Sequence, residues 1–465
     1  MEKKLLIRNK SIRSKSFIST DTICHTRRNK NIINVLRWYP FKKNSSVLQI
    51  TNKRNSISSF LYDKGLKLDL LKYNSNSFYR CTKKDKTISI NLSSSLRKYD
   101  YIVVVGFLDF FDAKDDYKIE IKKIMKLCSS LIKKNGIVLI ADDFSKIKQL
   151  SYARNRNSVI KSLFNTSECR LTKMYYLHLN IENCFEIFTD KALKYIFPSN
   201  INVPNSNGSI NEYVLDKNYY AIYSKGDPSN MFWSYLLEFN NSSKENIDFV
   251  KISSNRFDKF ALMTSIDMKN GFVSKTPLSN MSRQHVSNLL VDCPKNDYFI
   301  YAKYYMHNNN VFCDYIRGET LYQKFYSWLF NGDKEQIIRN IKIIKQYLYD
   351  GDTKKHKTSK KFKKVFGNVD FSIPLHWKKN QNIDIIASNI ILSKNRFYLI
   401  DGEWCFDFLI PSEYILWRFI HHSLCEEIFT KKELFEDILN ITKKEYDSFL
   451  KMELHFSIKY VGNYS

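Results

Sequence analysis

Glycine and proline are scarce in this chain. Its 465 residues contain 12 glycines and 8 prolines, where average usage gives about 33 and about 23. Collagen-like repeats and Pro/Gly-rich linkers are thereby excluded, and few glycines remain from which to build a ligand-binding turn. Nine cysteines form an odd set with no CxxC pair, so neither a disulfide framework nor a zinc site is indicated, and reduced, mostly buried thiols are expected. No run approaches the roughly 18 apolar residues of a membrane span. Met1–Lys15 is basic but lacks the apolar core of a signal peptide, so a cytoplasmic location is expected. Acidic residues are also in deficit: Asp+Glu 47 against Lys+Arg 74 gives a net charge of +27. An anionic partner is one explanation. Another is codon bias, because Lys, Asn, Ile, Tyr and Phe are enriched together and the lysines are spread along the chain. A hydrophobic fraction of 43% excludes intrinsic disorder and suffices for the cores of two or three domains.

Three regions differ in texture. Residues 1–30 are polar and basic and read as an amino-terminal arm. Residues 31–244 begin with NIINVLRWYPF at helical spacing up to Pro40, followed by the short buried run SSVLQI. Further along, Ser58–Tyr62 reads as a helix start, Lys86–Leu92 as a strand, YDYIVVVGF as a buried strand, Ile119–Ile132 as an amphipathic helix and GIVLIADD as another buried strand. Buried strands alternating with helices predict an α/β fold with a mostly parallel, doubly wound sheet. MFWSYLLEF is read as a helix, and the polar break FNNSSKEN sets the boundary at 244/245. Residues 245–465 open with strand-like segments (FDKFALMTSI, GFVSKTP, YFIYAKYYM, NVFCDYI) and continue into helices.

Ligands of doubly wound sheets bind at the carboxyl ends of the strands, so the turn after Val47–Ile50 is the first candidate site. WYPFKKNSSVLQI, with YDYIVVVGFLDFF and LIKKNGIVLIADD downstream, resembles the class I S-adenosylmethionine (AdoMet)-dependent methyltransferases, over roughly residues 31–240. The resemblance implies a Rossmann-like fold with AdoMet at Gln49, Thr51, Lys53 and Asp69, the last as ribose acid. The chain departs from the family where glycines and an acid are expected, reading Gln49, Ile50, Thr51, Asn52, Lys53. A Cβ at those positions obstructs close approach of cofactor to backbone. A methyltransferase-like scaffold that no longer binds AdoMet therefore stands beside the active reading. Asp142 and Asp143, after the last buried strand, sit where substrate groups could bind, although paired acids on a loop are usually solvated.

IDIIASNIILSKNRFYLIDGEWCFD carries Asp384, Asn389 five residues on, and Asp401 after a strand-loop-strand interval. Phosphoryl transfer needs such a set, one carboxylate for the attacking hydroxyl and an amide oxygen with a second carboxylate for magnesium. This stretch resembles the core of the aminoglycoside and choline kinase-like phosphotransferases, a two-lobed α+β fold. The resemblance implies ATP and Mg2+ as cofactors, Asp384 as base, Asn389 and Asp401 as metal ligands, Glu403 as a supporting or substrate acid, and Lys275 in GFVSKTP as the nucleotide-phosphate lysine. CDYIRGETL matches the hinge into the helical lobe. The departures are Asn382 where a histidine is usual and the lack of a glycine-rich loop before Lys275.

The two resemblances together are those of bifunctional proteins of bacterial surface-polysaccharide biosynthesis. They imply a glycan or lipid-linked sugar as acceptor, a glycosyltransferase partner and peripheral contact with an anionic membrane. The alternative is an inactive scaffold built on both folds. The lysine run at Thr353–Lys364 has only Phe362 interleaved, which disfavours nucleic acid and favours a solvated surface. His421 and His422 lie on an apolar segment and are read as core or capping residues.

Overall fold

The computed structural model describes residues 31–52, 55–73, 77–83, 86–90, 97–111, 116–147, 155–164, 169–196, 228–240, 247–290, 298–349, 353–354, 356–423 and 429–462. The expected amino-terminal arm lies outside them.

The apolar runs of the first half become strands. SVLQIT forms β1 (Ser46–Thr51), with all six residues buried, and KLDLLK forms β2 (Lys67–Lys72). The hairpin β3 (Ser77–Lys83) and β4 (Lys86–Ile90) extends that edge. β5 (Tyr99–Val105) and β6 (Ile132–Asp143) lie on the other side of β1. Leu48 sits beside both Asp69 and Ile102, and Val103 beside Leu139, all in parallel register. Parallel neighbours need crossovers. Helix Ser56–Asp63 links β1 to β2, and helix Tyr117–Leu131 links β5 to β6. The latter buries Ile121, Ile124, Met125 and Cys128, the spacing of one helical face. The fold is α/β.

β7 (Leu171–Leu177), β8 (Glu186–Phe188) and β9 (Ser234–Phe239) are antiparallel, with β9 inserted between β6 and β7. The helix expected over MFWSYLLEF is therefore a strand. A surface helix needs a polar stripe, and the only carboxylate of β9, Glu238, is 1% exposed and bonded to the Tyr39 hydroxyl. A central strand covered on both faces reads as an unbroken apolar run.

The second half begins with β10 (Phe249–Ile252), β11 (Leu262–Asp267) and β12 (Phe272–Pro277), all antiparallel. YFIYAKYYM divides into β13 (Phe299–Tyr301) and β14 (Tyr305–His307), and β15 (Asn310–Asp314) pairs with β12 and β14. β10 also pairs with β8. One 14-stranded sheet, ordered β14-β15-β12-β11-β10-β8-β7-β9-β6-β5-β1-β2-β3-β4, thus holds strands from both sides of the expected 244/245 boundary. β13 instead joins strands Arg396–Leu399, Ile390–Ser393 and Glu319–Thr320 in a second sheet.

That second sheet is packed by helices Leu321–Asn331, Lys334–Leu348, Ser412–His421 and Lys443–Leu454 around Phe325, Ile341, Ile383, Trp417 and Phe449. Gly318 is required by close approach: a Cβ there would collide with the Leu392 carbonyl oxygen. Helix Leu321–Asn331 starts in a Thr320/Gln323 capping box and stops at Gly332 in the left-handed region. No helix among the described residues is long and apolar enough to cross a membrane. The described cysteines are free thiols, with Cys128, Cys169, Cys184 and Cys313 buried.

Candidate functional site

Of the residues expected at the first-half turn, Lys53 lies outside the described residues, and the others are occupied with one another or with the core. Gln49 is 1% exposed. Its amide oxygen accepts from Ser58 Oγ at 2.7 Å, and its Nε2 donates to Asn55 Oδ1 at 3.1 Å. The same Asn55 oxygen accepts from the backbone amides of Ile57 and Ser58 as the helix N-cap. Side chains thus tie the end of β1 to the following helix, where an AdoMet site needs exposed backbone amides. Thr51 is buried.

Asp69 sits mid-strand, three residues before the end of β2 at Lys72. Its Oδ1 accepts from Arg80 Nε at 2.9 Å, and its Oδ2 accepts from Arg80 at 3.3 Å and the Tyr99 hydroxyl at 3.0 Å. Beyond the strand ends, Tyr73 stacks on Phe110 with ring centroids 5.7 Å apart. Since β2 and β5 flank β1, that pair bridges the carboxyl end of β1. Asp142 is a correction to the solvated reading: it is 1% exposed, its Oδ2 accepting the Leu108 amide at 2.7 Å to close the turn after β5. Asp143 accepts from the Ser145 amide at 3.0 Å.

The second half brings its expected residues together. Lys275 lies inside β12, with Thr264 of β11 on one side and Val311 of β15 on the other. Its Nζ stands 2.5 Å from Asp401 Oδ1 and 3.9 Å from Glu403 Oε2. Asp401 follows strand Arg396–Leu399 with φ 66, a strained left-handed position for a non-glycine residue, and its amide donates to the Tyr304 hydroxyl at 3.0 Å. Glu403 also pairs with Arg256 at 2.6 Å and has the His285 ring nitrogen 3.5 Å away. Burial penalises the Glu403 carboxylate, yet Arg256 and Lys275 hold it well below the usual carboxylate range. Burial likewise opposes the Lys275 charge, but Asp401 and Glu403 raise its pKa.

Asp384 and Asn389 share one loop. Asn382 Oδ1, in the place of the usual histidine, accepts the Asp384 amide at 2.9 Å. Asn389 Nδ2 donates to the Asp384 carbonyl at 3.1 Å. The Ile400 amide donates to the Asn389 carbonyl at 2.9 Å, linking this loop to the segment that carries Asp401. Arg418 NH1 reaches Asp384 Oδ1 at 3.1 Å and the Ile383 carbonyl at 2.6 Å, while its Nε donates to Glu453 at 2.7 Å. Burial pushes Asp384 up to about 7, opposed by Arg418 and reinforced by the Glu403 and Asp401 charges.

The donor set suits magnesium. An amide oxygen and one or two carboxylates are hard ligands of the kind that hold this ion together with substrate phosphates, without a dedicated protein cage. Among the described residues, no group of three or more His, Cys, Asp or Glu side chains is arranged for a metal.

Arg256, His285, Arg418 and Glu453 have no motif spacing and went unread in the sequence. The scarce signal was a basic residue in a glycine-free loop. His421 stacks on Trp417 and His422 meets Glu453 at 3.2 Å, as core and capping residues would. In the lysine run, helix Lys360–Phe366 buries Phe362, Val365 and Phe366, and Lys361 pairs with Asp407 at 2.6 Å on the surface.

No protein-family profile matches the chain, and no curated protein matches it. Among solved structures it is similar to a chain from the Haloferax volcanii complex of the methyltransferase activator Trm112, at 11% identity over 48% of this chain and 93% of that one, TM-score 0.26. Coclaurine N-methyltransferase matches at 12% identity over 49% and 76%, TM-score 0.23. WbdD matches at 10% identity over 95% and 89%, TM-score 0.21. Scores this low leave the functional reading to the chain's own geometry.

Proposed function

We propose that this protein is an ATP- and magnesium-dependent phosphotransferase whose acceptor is a hydroxyl of a glycan or lipid-linked sugar. The observation that carries the reading is the grouping of three separate segments: Lys275 paired with Asp401, Asp384 within reach of the Asp401 charge, and Asn389 on the Asp384 loop. Asp384 takes the proton of the acceptor hydroxyl, a role suited to a carboxyl group titrating near neutrality. The oxygen–phosphorus bond to the acceptor forms as the bond to the ADP leaving group breaks. Lys275 holds a nucleotide phosphate, and Asn389 and Asp401 hold the metal. Magnesium, when bound, neutralises charge on the phosphates. In this reading residues 245–465 are a kinase-like unit, residues 31–244 a methyltransferase-like unit and residues 1–30 an arm. The protein works in surface-polysaccharide synthesis beside a glycosyltransferase, on the cytoplasmic side of an anionic membrane.

For the first half we read a scaffold. The strand order β2-β1-β5-β6-β9-β7, with β9 antiparallel between β6 and β7, is that of class I methyltransferases. The side-chain ties at Gln49 and Asp69 and the Tyr73–Phe110 bridge disfavour AdoMet.

Thermal shift tests both halves, since a ligand that binds only the folded state raises the melting temperature. Millimolar ATP with magnesium is expected to raise the Tm of the wild type and not of Asp401→Ala, while AdoMet leaves both unchanged. No shift in the wild type with ATP and magnesium sinks the phosphotransferase reading and leaves a scaffold on both folds. A clear AdoMet shift reverses the reading of the first half.

A further inference from the structure

The loop between β10 and β11 reads SSNRFDKFA over Ser253–Ala261 and contains no glycine. A loop that cradles phosphates with backbone amides needs residues free of Cβ at the closest approach. This loop is also fixed in place. The Phe257 amide donates to the Val461 carbonyl at 2.8 Å, and the Phe257 ring packs so closely that a Cβ on Gly462 would lie 2.6 Å from it. Phe260 packs on Trp404 and His285 with centroids 4.8 and 5.0 Å apart, and Ser279 Oγ donates to the Asp258 carbonyl at 2.9 Å.

What this fixed loop projects toward the carboxylates is one guanidinium. Arg256 bonds Glu403 at 2.6 Å, lies 5.7 Å from the Trp404 ring and feels the charges of Asp384 and Asp401 as well. Its planar fork of donors matches phosphate oxygens, which a lysine ammonium meets only as a point charge.

We propose that Arg256 replaces the missing glycine-rich loop by binding a nucleotide phosphate beyond the first, with Glu403 as its partner when no nucleotide is bound. This rests on the phosphotransferase reading of the same site. Two features place the contact at the distal phosphates. Glu403 is shared between Arg256 and Lys275, and Asp401, the residue assigned to the metal, touches Lys275.

The test is isothermal titration of the full-length chain with ATP·Mg and with AMP, on wild type, Arg256→Lys, Arg256→Met and Arg256→Met/Glu403→Gln, with Tm recorded for each. The double variant also removes the buried carboxylate that the single one deprives of its shortest ion pair. Expected are an ATP·Mg affinity at least tenfold weaker in both Met variants, an intermediate loss in Arg256→Lys, and unchanged AMP affinity. Unchanged ATP·Mg affinity in folded Arg256→Met overturns the proposal and makes Arg256 a structural partner of Glu403. So does an equal loss for ATP and AMP in the double variant. If the wild type binds no ATP·Mg, the phosphotransferase reading itself fails and this proposal falls with it.

Discussion

Asp384 carries the clearest consequence at the scale of a single residue. Its carboxyl faces Arg418 and Arg256 on the cationic side and Asp401 and Glu403 on the anionic side, and burial pushes its pKa up to about 7. An unfolded Asp titrates near about 3.9. The native state therefore binds this proton more tightly than the unfolded chain, so the stabilisation is complete below about pH 4 and is lost as the pH rises through about 7. Asp384→Asn removes that term. The wild-type Tm measured against Asp384→Asn should decline from pH 5 to pH 8, and parallel curves would mean that the carboxyl is not perturbed. On the proposed role of Asp384 as the base, turnover, once an acceptor is found, should rise with pH through the same range, because a base works deprotonated. Arg418 opposes the upward shift, so Arg418→Met should move that midpoint higher. A variant that only loosened the fold would lower turnover at every pH without moving the midpoint.

At the scale of elements, the turn after β1 shows how a binding loop is turned into a joint. Asn55 caps helix Ser56–Asp63 and also receives the Gln49 amide. Removing an N-cap side chain costs about 0.5–2 kcal/mol, and Asn55→Ala also leaves a buried Gln49 donor without its acceptor. Urea unfolding should place this variant about 1–2 kcal/mol below the wild type. A loss of only a few tenths would mean that the joint adds nothing beyond the helix. The same elements show what was readable beforehand. Strands such as SVLQIT and YDYIVVV announce themselves because β-branched runs too short for a helix suit a covered sheet, and the Asp384, Asn389 and Asp401 spacing is local to one loop-strand-strand unit. β9 was misread because a strand buried on both faces shows no period-2 alternation. Asp69 was unreadable as a spent side chain, since its partners Arg80 and Tyr99 arrive from two other strands. Arg256 and Glu403 are 147 residues apart, and no spacing rule links a loop to a turn at that distance.

At the scale of the whole molecule, the two halves that composition separates at 244/245 are joined through the middle of one sheet. β8 and β10 pair from Glu186 opposite Lys251 to Phe188 opposite Phe249. Around that seam the Thr189 amide donates to the Asp248 carbonyl, Asn34 reaches both the Cys184 carbonyl and Ser254 Oγ, and Gln323 donates to the Tyr195 carbonyl. Cutting there would leave β8 and β10 as open edges, with buried Ile187 and Phe188 on one piece and Phe249 and Val250 on the other newly exposed. Unpaired apolar edges are sites of aggregation. Residues 245–465 produced alone should therefore be poorly soluble, production together with residues 31–244 should yield a soluble complex, and the full chain should unfold in one calorimetric transition. A soluble, monomeric 245–465 fragment with its own sharp melting transition would mean instead that the shared sheet is a docking surface between two self-sufficient units. In that case the proposed phosphotransferase site would not depend on the first half for its shape, and on that proposal ATP·Mg would raise the Tm of the fragment as much as that of the whole chain.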